Sequence, residues 1–95
     1  MKNSTEDNIF YPKIGIIIPC YMAKGLINNV VQKILKIAEI YKEKYNLIIY
    51  IVNDCCPEES SNEIKKNSLI KILNHSKNLG VGAATMTGFK RALKD

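Results

Sequence analysis

The chain has no tryptophan, only three prolines and a single histidine, His75. No stretch approaches the ~18 consecutive apolar residues that a membrane-spanning helix requires. The first thirteen residues are polar and include Glu6 and Asp7. They lack the charged-then-apolar order of a secretory signal and read as a short disordered lead, 1–13, into the first strand. Cysteine is scarce: Cys20, Cys55 and Cys56. Three thiols make no disulfide framework, so a reducing cytoplasm is the expected setting. Adjacent cysteines also lack Cys-x-x-Cys spacing, and a zinc site needs a fourth ligand. No structural metal is expected on them. One histidine, in a different loop, supports neither a Ser-His-Asp nor a Cys-His nucleophile.

What is present bounds the chain to one small α/β domain. Its 95 residues are 46% hydrophobic and 24% charged, ordinary proportions for a soluble fold. The net charge of +5, from 14 Lys and Arg against 9 Asp and Glu, suits an anionic ligand such as a nucleoside diphosphate. The plainer reading is that lysines such as Lys33, Lys36, Lys42 and Lys44 form solvated helix faces. Basic residues are not clustered with aromatics, so nucleic acid is not an expected partner.

Residues Ile14 to Ile18 form an unbroken apolar, β-branched run ended by Pro19. Such runs fit strands covered on both faces, as in parallel sheets. From about Gly25 to Tyr45 the period changes: Ile27, Val30, Val31, Ile34, Ala38 and Tyr41 recur three or four apart. That spacing predicts an amphipathic helix of five or more turns. Leu47 to Val52 is a second strand. Pro57 and Ser60-Ser61-Asn62 interrupt the chain, with a short helix expected around Asn62 to Lys66. Leu69 to Leu73 is a third strand. Gly80 and Gly82 mark a turn into a helix over Ala83 to Leu93, with Ala84, Gly88, Phe89 and Ala92 on one face. The order β-α-β-(α)-β-α predicts a parallel sheet with right-handed crossovers. Three strands are few for such a sheet, and the sequence reads as cut off at Asp95.

Each strand ends in a loop that could carry chemistry, and in an open parallel sheet those loops share one edge where ligands bind. Tyr21 follows the first strand, placed either to stack on a base or to pack on the first helix. Asp54 follows the second, where a carboxylate can read a base or ribose or can bond its own turn. Gly80-Val81-Gly82 follows the third, before a helix N-terminus that suits phosphate, or as a conformational turn only. The glycines match neither a dinucleotide fingerprint nor a P-loop.

Taken together, Ile14-Gly15-Ile16-Ile17-Ile18-Pro19-Cys20-Tyr21, Val52-Asn53-Asp54 and Asn78-Leu79-Gly80-Val81-Gly82-Ala83-Ala84, ending at Thr87-Gly88-Phe89, resemble three ordered motifs of family 2 glycosyltransferases. The last segment is similar to the branch near dolichyl-phosphate sugar synthases. The resemblance runs from Ile14 to the C-terminus. It implies a three-layer, Rossmann-like half of a GT-A domain over residues 14–95. It implies a UDP- or GDP-sugar donor and an acceptor such as a polyprenyl phosphate or glycan, as in cell-envelope glycan synthesis. By position, Asp54 would bond the uracil or guanine, Tyr21 would pack on the base, Pro19 would shape the loop beneath, and Gly80 would admit the nucleotide to the backbone. Met22 stands where the family has Asn, Cys55-Cys56-Pro57 where it has Gly-Ser-Thr, and Thr85-Met86 where many members carry Arg. The Asp-x-Asp motif that binds Mg or Mn, and the catalytic base, would follow Asp95. The resemblance therefore implies a nucleotide-binding part with negligible transfer activity alone, sited in the cytoplasm or at the membrane's cytoplasmic face. A standalone α/β binding module is the competing expectation.

Overall fold

A computed structural model describes residues 11–57 and 59–95. Most of the expected disordered lead lies outside them. Three strands, β1 (Lys13–Cys20), β2 (Asn46–Asn53) and β3 (Ile70–Asn74), form one parallel sheet in the order β1-β2-β3. Helix α1 (Ile27–Ile40) connects β1 to β2, a single 3₁₀ turn (Ser60–Glu63) lies between β2 and β3, and α2 (Val81–Lys94) follows β3. This is the α/β arrangement expected from the alternating periods.

The helices cover opposite faces, because side chains alternate along each strand. Cys20, Ile49 and Ile51 pack with Ile27 and Val31 of α1, joined by the half-buried Ile18. On the other face, a Cβ placed on Gly88 of α2 would meet Ile17 and Val52, and one on Gly15 would meet Tyr50 and Ala92. The central β2 has a neighbour on each side and a helix on each face, so Ile49, Ile51 and Val52 are fully buried. Each such side chain contributes roughly 1.5–3 kcal/mol of burial. That geometry explains why the segment is apolar without alternation.

The element ends differ from expectation where local sequence is ambiguous. β1 runs through Pro19, which pairs in register with Val52. An edge strand tolerates the missing N–H. α1 is shorter than expected, ending at Ile40, and Tyr41 to Tyr45 form a turn closed by the Lys44 and Tyr45 amides on the Tyr41 carbonyl. The apolar arc of α1 is also wider than its contact, leaving Val30, Ile37 and Tyr41 exposed. The short helix expected at Asn62 to Lys66 is the 3₁₀ turn, three residues earlier at its far end.

Candidate functional site

All three strands end at one edge, and their exit loops are bonded to one another. The β1 and β2 loops are joined by main-chain donors of the first and side chains of the second. The Met22 N–H donates to Cys56 Sγ at 3.1 Å, the Ala23 N–H to Ser60 Oγ at 2.9 Å, and the Gly25 N–H to the Glu63 carboxylate at 3.0 and 3.1 Å. Asn53 braces the turn after β2: its Oδ1 accepts the Cys56 N–H at 3.1 Å and its Nδ2 donates to Asn74 Oδ1 at 3.1 Å. Asn53 is thus structural, as its place beside Asp54 suggests.

Asp54 is the hub. Its residue is 3% exposed, and its carboxylate is bonded entirely within the chain. Oδ1 accepts the Leu79 N–H and a hydrogen from His75 Nδ1, each at 2.8 Å. Oδ2 accepts the Gly80 N–H at 2.8 Å. The Asp54 carbonyl accepts Asn78 Nδ2 at 3.1 Å, and the Asp54 N–H donates to the Cys20 carbonyl at 3.1 Å. The His75 bond, then the Leu79 amide, hold the carboxyl below its ordinary range, with the Gly80 amide adding to them against the effect of burial. Three donors occupy three of the roughly four acceptor positions a carboxylate offers. Oδ2 keeps one.

The other candidates lie around this hub. Tyr21 directly follows Cys20 and is 46% exposed. Pro19 is half-buried at the end of β1. Gly80 caps α2 with φ +97, a backbone state that glycine alone adopts freely, and nothing lies within 4 Å of where a Cβ would be. Its requirement is therefore conformational at this position. Met22 and Cys55, the residues standing where the family pattern has Asn and Gly, adopt positive φ of 54 and 56.

His75 is the residue that the sequence did not reveal. As the only histidine it offered no pattern, yet its ring lies between Asp54 and Thr87 Oγ1, the latter at 2.8 Å from Nε2. Its only sequence signal is its place one residue past β3. The thiols of Cys20 and Cys55 form no disulfide. Burial is the main effect pushing the Cys20 thiol up, which keeps it protonated. Among the described residues no group of three or more His, Cys, Asp or Glu side chains could hold a metal ion, and the Asp54 and Glu63 carboxylates at the edge are already engaged. These residues do not fit a divalent metal.

A concavity of about 650 Å³ lies at the opposite edge, among Ile14, Leu47, Leu69, Phe89 and Asp95. No strand-exit loop reaches it. No helix among the described residues is long and apolar enough to cross a membrane.

No curated protein and no solved structure matches the chain. A family model described as Glycosyl transferase family 2 matches residues 15–95, from the first strand through the last helix. The match spans all three strands, their exit loops and both helices, so the chain belongs to glycosyl transferase family 2.

Proposed function

We propose that the loop edge binds the nucleotide of a UDP- or GDP-sugar whose sugar the complete enzyme transfers to an acceptor such as a polyprenyl phosphate or a glycan. The observation that carries this reading is the convergence of the three loops on Asp54, with the half-exposed Tyr21 beside it. Tyr21 offers a face for the base. Asp54 holds the β3–α2 loop and has one acceptor position on Oδ2 for a base N–H. Pro19 shapes the floor of the β1 loop, and Gly80 lets the nucleotide approach the main chain. Support comes from family membership and from the net positive charge. On this reading the Mg or Mn of the complete enzyme is held by residues other than those described, and the 95 residues act as its nucleotide-binding part. The setting that fits is the cytoplasm or the cytoplasmic membrane face, in cell-envelope glycan synthesis near the dolichyl-phosphate sugar synthases.

Calorimetric titration with UDP and GDP tests the reading. Tyr21→Ala removes a stacking contact of roughly 1–3 kcal/mol, about fivefold to a hundredfold in affinity, without disturbing the core. Equal affinity in both proteins removes Tyr21 from the site. Absence of binding by either nucleotide, in the chain and in the complete enzyme, leaves the standalone module as the better reading.

A further inference from the structure

We infer that His75 is a positioning residue for the nucleotide edge: it braces Asp54 against α2 and so fixes the loop that Asp54 holds, without touching the ligand. This rests on the nucleotide reading above.

The ring spans two elements. His75 follows β3 immediately, and its own N–H donates to the Asn53 carbonyl at 2.8 Å, so the sheet fixes where the side chain starts. Nδ1 then meets Asp54 Oδ1 at 2.8 Å and Nε2 meets Thr87 Oγ1 at 2.8 Å. The side chains of His75 and Asp54 are nearly dry, 8% and 4% exposed. Water therefore competes little for the bond between them.

The chemistry of the partners sets the hydrogens. Asp54 is a carboxylate that accepts, so Nδ1 carries a hydrogen. In the neutral ring Nε2 accepts the Thr87 hydroxyl hydrogen; in the charged ring Nε2–H donates to the same oxygen. A threonine hydroxyl serves either role, so the brace holds in both states of the ring and is a fixed strut.

What the strut holds is Oδ1. His75 and the Leu79 N–H share that oxygen, and Oδ2 holds Gly80, the residue that opens α2. With the ring removed, the carboxylate loses the bond that orients it, and the Leu79 and Gly80 amides lose a fixed acceptor. The loop at the proposed site then loosens while β2, buried by Ile49, Ile51 and Val52, keeps its packing.

Asparagine and glutamine separate the two ends of the ring. His75→Asn keeps a donor near Nδ1, and His75→Gln keeps a group near Nε2. The experiment combines amide hydrogen exchange at Leu79 and Gly80 with calorimetric titration of UDP and GDP. In His75→Ala both amides exchange faster, Ile49 and Ile51 stay protected, and nucleotide affinity falls roughly tenfold. His75→Asn restores most of both readouts; His75→Gln does not. Thr87→Val, which lacks the hydroxyl at nearly the same shape, gives a smaller change in the same direction and serves if His75→Ala fails to fold. Faster exchange with unchanged affinity overturns the positioning role. Unchanged exchange at Leu79 and Gly80 overturns the brace itself. If the wild type binds neither nucleotide, the nucleotide reading and the positioning role fall together, and exchange alone decides whether the brace exists.

Discussion

The Gly80 amide donates to Asp54 Oδ2 at 2.8 Å, joining the end of β2 to the first turn of α2 across 26 residues of chain. The carboxylate thereby supplies an acceptor to an N–H at a helix start that has no side-chain cap. Asp54→Asn keeps one acceptor but turns an NH₂ toward another N–H. The expected outcome is a lower melting temperature together with nucleotide affinity reduced roughly tenfold. A melting curve and a UDP titration on the same preparation check it. A lower melting temperature with full affinity assigns Asp54 to the fold alone.

Gly88 is a packing glycine. A Cβ there would sit 2.5 Å from Ile17 Cγ2 and 3.2 Å from Val52 Cγ2. Gly88→Ala should destabilise by about 1–3 kcal/mol, the usual cost of overpacking. Ile17→Ala in the same molecule removes the obstructing atom, so the pair should cost less than the sum of the two single changes. Urea unfolding of the four proteins measures the coupling.

Met22 and Cys55 hold positive φ of 54 and 56 without being glycine. Left-handed backbone costs a side-chain-bearing residue roughly 1–2 kcal/mol. Met22→Asn and Cys55→Gly should each raise stability by about 0.5–1 kcal/mol, the glycine giving back part of its gain through the unfolded chain. The exposed Met22 side chain makes this a clean comparison. A lowered urea midpoint for Met22→Asn would refute the strain argument.

Acid should unfold the chain through two aspartates. Lys71, then Tyr50, hold the Asp95 carboxyl at about 2 against an ordinary 3.8, and Asp54 is lowered as well, chiefly by His75. Both folded values lie below the unfolded one. The stability they contribute is complete above about pH 4 and falls as pH drops toward about 2. Asp95→Asn should lower stability at neutral pH and flatten part of that acid limb, the two proteins converging as pH approaches about 2. Lys71 and Arg91 are 37% and 41% exposed, so salt should weaken the Asp95 share more than the buried Asp54 share. Urea midpoints against pH, at low and high salt, test both signs.

The strands, helices and their order could be read along the chain because each depends on neighbours in sequence. The β-branched runs at Ile14–Ile18 and Leu47–Val52 mark strands covered on both faces, and the three-and-four spacing after Gly25 marks a helix. The glycine turn at Gly80 and the carboxylate after Val52 were legible for the same reason, as strand exits of a parallel sheet. The three motifs also named the family, which the match over residues 15–95 bears out. What each side chain does at the edge was decided elsewhere. Asp54 read equally as a base-binding or a turn carboxylate, and only the fold brings Leu79, Gly80 and His75 onto its two oxygens. The pairing of His75 with Thr87 carries no mark in sequence, because a strut between two elements has no period. Their partnership exists only once β3 lies beside β2 and α2 folds back over the sheet. Local pattern fixes which element forms; tertiary packing decides which polar groups, once buried, must satisfy one another.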